Sequence, residues 1–135
     1  LAKLSDYIVC SKDFAEELTA KKIDFTNLKT LIDIYDEVES KLNGKLIITL
    51  EEKGSFVKDE NYMIVPSIKV KTLDSTAAGD IFHAAFLYFL SQNMSLKDTL
   101  RLANITGALS VTKIGGRYSI PTLEEVKRVS DDNPL

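Results

Sequence analysis

The apolar residues of this chain follow two different spacings, which predicts a fold that combines helices with strands. Compact apolar runs at 6–10 and 45–50 lie between turn residues, a pattern typical of interior strands. Apolar positions recur at helical spacing through 24–42, and residues 78–92, almost all apolar, predict a buried helix. Two short runs, at 54–57 and 62–65, predict a β-hairpin. This order of elements favours an α/β fold with three layers and a largely parallel sheet.

Polar residues at the ends of the apolar segments predict where helices begin and end. A Ser or Thr side chain can accept a hydrogen bond from the free N–H groups at a helix start, and Asn or Gly tolerates a left-handed C-terminal cap. The alternating residues 68–71 predict a half-exposed strand, yet the strands are few for elements that need two buried faces, so we expect part of a larger sheet. The predicted N-caps are Ser11, Ser95 and Thr122, and the predicted helix end is Asn43-Gly44.

Composition and charge exclude several classes of protein. A chain of 135 residues with 44% hydrophobic residues fits a single domain, 1–135. The net charge of −3 and the scattered lysines leave no basic stripe, which argues against nucleic-acid binding. No apolar run approaches the roughly 20 residues that span a bilayer, so no membrane partner is expected. The lone Cys10 cannot form an internal disulfide and the N-terminus lacks a signal-peptide layout, so we expect a cytoplasmic location.

The stretch Asp74–Asp80 carries the most specific chemistry. It consists of small residues and a glycine that lead into the predicted 78–92 helix. The free N–H groups at a helix start, here those of Ala77, Ala78 and Gly79, can bind an anion. Asp80 places a proton acceptor beside this anion site, as transfer of a phosphoryl group to an alcohol requires. A tight turn that needs small residues, with an aspartate that only complements the helix dipole, remains the structural alternative.

Several motifs together resemble one enzyme family. Asp74–Asp80 resembles the C-terminal signature of the ribokinase (PfkB) family of carbohydrate kinases, and Thr49–Gly54 resembles the family's T-L-G-x-x-G nucleotide segment. Ala103-Asn104, 110–116 and 119–121 resemble its closing stretch. These matches follow the family's order and cover nearly the whole chain. The chain is therefore identified as a member, corresponding to the C-terminal, nucleotide-binding and catalytic part of a ribokinase-like α/β domain.

The resemblance implies roles for particular residues. Asp80 would be the catalytic base, and the backbone of Ala77, Ala78 and Gly79 would form an anion hole for the transferring phosphoryl group. For Asn104, a solvent-facing polar residue in the middle of a helix is the alternative to a nucleotide contact. The implied nucleotide-binding residues are Thr49, Glu51, Gly54, Gly79 and Asn104.

Oxygen atoms on two loops resemble the family's monovalent-cation site. Hard oxygen ligands suit K⁺, and an ion there would hold the anion-hole loop in place. The alternative is that the two loops only hydrogen-bond to each other. The residues implied are Asp74, Thr76, Ser110, Lys113, Gly115 and Ser119.

Two positions depart from the family pattern. Glu51 stands where relatives usually have glycine, and a carboxylate near ATP phosphates would repel them unless it points away. Many relatives carry N-x-x-E, which serves magnesium, where this chain has Ser11-Lys12-Asp13-Phe14. Serine and phenylalanine stand at the two motif positions, so the motif itself assures no local carboxylate for Mg²⁺. The lone His83 lies on an apolar predicted helix and is expected to be packed or partly exposed rather than catalytic.

The resemblance implies a kinase that transfers the γ-phosphoryl group of ATP to a sugar hydroxyl, with Mg²⁺ required. A nucleoside or vitamin-precursor kinase of the same fold, and a noncatalytic nucleotide- or anion-binding module, remain alternatives. The acceptor-binding residues and lid of such kinases belong largely to the N-terminal half. We therefore expect the 135 residues alone to be inactive or nearly so, and leave open a homodimer of the full-length protein.

Overall fold

The computed structural model describes residues 7–70, 78–112 and 121–134. The chain divides into two compact units. The first comprises Leu1–Glu51 and Ser55–Ile64, and the second comprises Glu52–Gly54 and Val65–Leu135. None of the helices in the described parts is long and apolar enough to cross a membrane.

The described strands form one mixed sheet in the order β1-β2-β3-β4. β1 (Tyr7–Ser11) pairs parallel with β2 (Lys45–Thr49), and β2 pairs antiparallel with β3 (Ser55–Lys58). A short turn leads from β3 to β4 (Tyr62–Val65). The predicted strands at 6–10 and 45–50 and the predicted hairpin are therefore confirmed, but β1 lies at the edge of the described sheet and is half-buried rather than interior. A 3-10 turn at Glu51–Lys53 connects β2 to β3.

Two helices pack against this sheet in the first unit. α1 (Lys12–Thr19) begins as predicted, because the Ser11 hydroxyl accepts a hydrogen bond from the Phe14 N–H over 3.1 Å. α2 (Leu28–Lys41) contacts both α1 and β2. Alternate residues of β2 turn toward these helices and are fully buried. The core of the unit contains Ala15, Leu31, Ile34, Tyr35, Val38, Leu46, Ile48, Leu50 and Phe56.

The hydroxyl of Tyr35 joins α2 to the sheet. It donates to the Leu46 carbonyl over 2.7 Å and accepts from the Lys58 N–H over 3.1 Å. The register pairs Ile47 with Val57, so Leu46 and Lys58 would be the next pair of β2 and β3. The Tyr35 hydroxyl therefore takes the place of a direct hydrogen bond between the Lys58 N–H of β3 and the Leu46 carbonyl of β2. Burial raises the pKa of Tyr35 to about 12, so its proton is retained for donation.

Three helices make up most of the second unit. α3 (Ala78–Leu90) and α5 (Leu123–Asp132) both contact α4 (Leu96–Ser110). The predicted caps are confirmed: the Ser95 hydroxyl accepts from an N–H in the first turn of α4, and Thr122 forms a reciprocal capping box with Glu125. The buried core here is Phe89, Leu102, Ile105 and Val126.

The start of α2 differs from the sequence prediction. The apolar spacing suggested a start at Asp24, whereas the helix begins at Leu28. The Asp24 carboxylate accepts hydrogen bonds from the N–H and hydroxyl of Thr26, at 2.9 and 2.6 Å, which closes a local turn. Asn27 then caps the helix through its side-chain oxygen. Short polar side chains that bond to nearby backbone compete with helix formation, which explains the late start.

The end of α2 lies where predicted but has another geometry. The helix stops at Lys41, and Leu42 leaves it in an extended conformation, with φ −126° and ψ 154°. The predicted left-handed cap is therefore absent at this helix end. Gly44 has a φ of 141°, which explains the need for glycine there.

The predicted strand at 68–71 is wrong over its described residues, 68–70, which have no regular secondary structure. A strand needs a neighbour to accept its ladder hydrogen bonds, and the described residues provide none at this segment. Just before it, side chains of α4 bind the carbonyls of Val65 and Pro66.

Tyr35→Phe removes one hydroxyl and leaves the buried Leu46 carbonyl and the partly buried Lys58 N–H without their partner. We expect the free energy of unfolding to fall by about 1–3 kcal/mol in urea denaturation. Tyr88→Phe is the matched control, since the ring of Tyr88 is about half exposed, and it should change stability by less than about 0.5 kcal/mol. Equal unfolding midpoints for Tyr35→Phe and the unsubstituted chain would contradict this role.

Candidate functional site

α4 carries four functionally interesting residues at a spacing of three: Arg101, Asn104, Gly107 and Ser110. Residues three apart are neighbours on a helix surface, and each step of three turns the direction by about 60°, so the row winds around the helix. The first two members bind the segment at 65–67, and the third lies against the start of α3. α4 therefore contacts both the segment 65–67 and the start of α3, where the sequence predicts a nucleotide contact at Gly79.

Gly54 is required by both conformation and space. Its φ is 107°, and a Cβ atom added to it would lie 2.0 Å from the Val65 carbonyl oxygen and 2.9 Å from the Pro66 Cα. Those neighbours are backbone atoms, which cannot rotate away as a flexible side chain can. The turn at Gly54 is therefore packed directly against the backbone of 65–67.

Asn104 holds the same backbone from the other direction. Its side-chain amide donates to the Val65 carbonyl over 2.8 Å, and the Asn104 carbonyl accepts from the Ser67 hydroxyl over 3.3 Å. Only 6% of Asn104 is exposed, which rules out the solvent-facing alternative. Two residues that the sequence places with the nucleotide, Gly54 and Asn104, thus meet at a single carbonyl oxygen.

The start of α3 is open where the sequence predicts an anion hole. Gly79 and Asp80 are exposed in the first turn of the helix, and Ala78 is half-buried. Apart from its chain neighbours and the nearby backbone of its own helix, no atom of the described residues lies within 4 Å of a Cβ added to Gly79, and Gly79 has ordinary helical backbone. Neither packing nor φ therefore requires glycine at this position among the described residues.

Gly107 brings α4 close to this helix start. A Cβ added there would lie 3.6 Å from the Phe82 Cβ and 3.7 Å from the Ala78 carbonyl oxygen. The Gly107 carbonyl in turn accepts from the Ser110 hydroxyl over 2.6 Å. Ser110, a predicted cation ligand, is thus buried with its hydroxyl bonded inside its own helix.

Thr49 and Glu51 lie in the first unit, at the end of β2. The Thr49 hydroxyl donates to the Cys10 carbonyl of β1 over 3.4 Å. Glu51 is exposed and has a φ of 57°, in the left-handed region that favours glycine. The backbone at this position thus has the conformation that favours glycine, and this chain has a glutamate there.

The other predicted site residues lie outside the described residues. Ala77, Asp74 and Thr76 belong to 71–77, and Lys113, Gly115 and Ser119 belong to 113–120. Their predicted roles in the anion hole and cation site stay predictions.

The described residues do not form a built metal site. They contain no group of three or more His, Cys, Asp or Glu side chains that could hold an ion. At the position of the magnesium motif, Phe14 exposes about half of its ring and offers no oxygen ligand. This donor set therefore does not fit a protein-held Mg²⁺. His83 is exposed on α3, and burial raises the pKa of Cys10 to about 11, which keeps its thiol protonated.

Arg101 is a buried residue that sequence reasoning missed. Its guanidinium donates to the Pro66 carbonyl over 2.8 Å and to the carbonyl of Asn133, at the end of α5. The available signal was a basic residue inside the apolar run Leu100–Ala103, where a charge must find partners in the core.

Gly54→Ala should lower the free energy of unfolding by about 2–4 kcal/mol, because the new Cβ collides with backbone at a positive φ. Gly79→Ala is the matched control, and its methyl group enters open space on a helix. That variant should be as stable as the unsubstituted chain or up to about 1 kcal/mol more stable. Urea denaturation measures both, and equal losses would contradict the account of Gly54.

Glu51→Gly should raise the free energy of unfolding by about 0.5–1 kcal/mol, since it removes left-handed strain of about 1–2 kcal/mol at a smaller entropic cost. Glu52→Gly, at the next residue, lacks this gain and should lower stability by about 0.5–1 kcal/mol. Thermal unfolding of both variants provides the measurement. A Glu51→Gly variant less stable than the unsubstituted chain would show that the backbone at Glu51 is not strained.

Comparisons with known proteins agree with the motifs. The model of the pfkB family carbohydrate kinases matches residues 1–123. Ribokinase from Lactococcus lactis is 37% identical over 123 residues, which cover 90% of this chain and 37% of the relative. Ribokinase from Thermotoga maritima has a similar structure, with a TM-score of 0.79 and 29% identity, over 93% of this chain and 42% of that one.

A double mutant of fructokinase from Vibrio cholerae, solved with fructose, ADP and a potassium ion bound, is also similar, with a TM-score of 0.70 and 26% identity. That match covers 91% of this chain and 40% of the fructokinase. The chain thus spans well under half the length of the relatives it matches, and its α/β fold is of ribokinase-like type. The predicted resemblance is confirmed: the chain belongs to the pfkB family of carbohydrate kinases.

Proposed function

We propose that this chain is the nucleotide-binding and catalytic part of a kinase that transfers the γ-phosphoryl group of ATP to a sugar hydroxyl. The observation that carries the proposal is the open start of α3. Gly79 and Asp80 are exposed there, and neither packing nor backbone conformation among the described residues explains the glycine. Space beside free helix N–H groups is what an approaching phosphate needs.

Asp80 supplies the second element of the reaction. In the first turn of α3 its carboxylate is exposed to an incoming acceptor. Its role in the proposal is to orient the sugar hydroxyl and accept its proton as the bond to phosphorus forms. The backbone N–H groups of Ala77, Ala78 and Gly79 stabilise the charge on the transferring phosphoryl group.

Gly54 and Asn104 support a nucleotide site in the second unit. Both contact the Val65 carbonyl, so the turn at Gly54 is held in place by a buried amide of α4. A preformed backbone position of this kind suits a ligand that is bound largely through backbone groups. Thr49 and Glu51 are also proposed as nucleotide-binding residues, from their place in the family motif.

ATP with Mg²⁺ is the proposed cofactor pair, with K⁺ as the proposed monovalent ion. The ADP and potassium ion in the related fructokinase support nucleotide and K⁺ use. Since the described residues offer no built metal site, Mg²⁺ would be held mainly by the phosphates and water, as this ion commonly is. No step of the proposed reaction is assigned to a protein-held magnesium ion.

The chain matches only part of the length of its relatives, and this limits the activity expected of the 135 residues alone. Because the chain spans 37% of the L. lactis ribokinase, we propose that the sugar is bound largely by residues outside these 135 and that the chain alone has little or no turnover. Cytoplasmic location and a homodimer of the full-length protein remain part of the proposal. A nucleoside or vitamin-precursor acceptor remains the alternative within the same fold.

A noncatalytic nucleotide-binding module is the second candidate function. Glu51 and Phe14 favour it, because each replaces a residue type with which relatives serve the phosphates or the metal. The exposed Asp80 at the start of α3 favours the kinase.

Asp80→Asn in the full-length protein separates these candidates. We expect the phosphorylation rate to fall by about 100-fold or more, with ATP affinity retained, since only the proton acceptor is lost. His83→Gln, also exposed and one turn further along α3, is the matched control and should retain the rate. Steady-state kinetics with calorimetric ATP titration measures both. An undiminished rate for Asp80→Asn would remove Asp80 from the mechanism, and ATP binding without any sugar phosphorylation would favour the module.

A further inference from the structure

Arg101 is buried in the second unit and bridges two separate parts of the chain. Only 6% of the residue is exposed, and its guanidinium donates to the carbonyls of Pro66 and Asn133. No carboxylate among the described residues forms an ion pair with it. Burying such a charge is costly unless its donors are well placed, so a purely structural position would be served more easily by an apolar side chain.

The two carbonyls suit the planar fork of arginine. The guanidinium carries several donors in a fixed geometry, so it can hold two acceptors at a set distance from each other. Asn133 is the C-cap of α5, where the exposed carbonyls attract a cation. Burial lowers the pKa of Arg101, although a guanidinium stays charged at neutral pH.

The segment that Arg101 holds, 65–67, packs directly against Gly54. Arg101 binds the Pro66 carbonyl and Asn104, one turn further along α4, binds the Val65 carbonyl. A Cβ added to Gly54 would approach the Cα of Pro66 and the N of Ser67 to 2.9 Å. The position of the Gly54 turn therefore depends on where these two α4 side chains hold the segment.

We propose that Arg101 is a positioning residue for the nucleotide site: it clamps Pro66 to the end of α5 and so fixes the 65–67 backbone on which Gly54 rests. This inference rests on the proposed nucleotide-binding function. Arg101 itself contacts no reacting atom. Its loss should loosen the Gly54 turn and weaken nucleotide binding while the core of the unit stays folded.

The test compares Arg101→Met with Val126→Ala in the 135-residue chain. Methionine keeps an unbranched side chain of similar length and removes every hydrogen-bond donor. Val126→Ala instead removes two methyl groups from the core of the same unit and leaves the Arg101 hydrogen bonds to Pro66 and Asn133 intact. Urea denaturation establishes how much stability each variant has lost. Amide hydrogen exchange over 52–54 and 65–68, followed without ligand, then reports on the segment, and calorimetric titration with ATP reports on the site.

Arg101→Met should speed exchange over 52–54 and 65–68 by about tenfold and weaken ATP binding by about tenfold. Val126→Ala should leave the exchange rate over these segments and the ATP affinity within about twofold of the unsubstituted chain, after correction for the variant's lower free energy of unfolding. Equal effects of the two variants would overturn the proposal, as would faster exchange with unchanged ATP affinity. If the unsubstituted chain fails to bind ATP, the proposed function fails, and the exchange comparison still decides whether Arg101 positions the Gly54 turn.

Discussion

The arrangement of the second unit depends on how α4 holds the carbonyls of Val65 and Pro66. Asn104 and Arg101 donate to these two oxygens, and the turn at Gly54 fits against the same backbone with no room for a side chain. Three residues beyond Asn104, Gly107 of α4 lies near the start of α3. One helix thus contacts two segments that are far apart in the chain. A buried donor that loses its acceptor is expensive, so these contacts resist displacement.

The glycines of the family motifs have different physical reasons. Gly54 is fixed by φ and by the neighbouring backbone, so its presence follows from folding alone. Among the described residues Gly79 has open space and helical backbone, which supports our proposal that a ligand comes close to it. At position 51 the backbone has a positive φ that favours glycine, but the residue there is a glutamate. Strain retained at a motif position is more often connected with function than with stability.

The sequence predicted elements whose signals are local. The caps at Ser11, Ser95 and Thr122 and the interior strand β2 depend on nearby residues, and the structure confirms them. The late start of α2 was missed because the side chain of Asp24 competes with the helix. The predicted strand at 68–71 failed over 68–70 because alternation specifies a half-buried face, whereas a strand also requires a neighbour to pair with.

Only those residues of the candidate site that belong to family motifs could be predicted from the sequence. The family motifs located Gly54, Gly79 and Asp80. The apolar run around Arg101 marked it as a buried cation, but a single sequence could not identify its partners, which lie 35 and 32 residues away along the chain. Asn104 was identified by resemblance, and its contact with the Val65 carbonyl emerged only from the fold. Long-range contacts of this kind leave little trace in local spacing.

The proposed function requires that a nucleotide bind at the start of α3 and at the Gly54 turn. Hydrogen exchange of the chain, measured with and without saturating ATP and Mg²⁺, reports on both segments at once. We expect ATP to slow amide exchange at 78–81 and at 52–54 and to leave exchange in α2, at 28–41, unchanged. Exchange that is the same with and without ATP at both segments, or slowed only in α2, would contradict it.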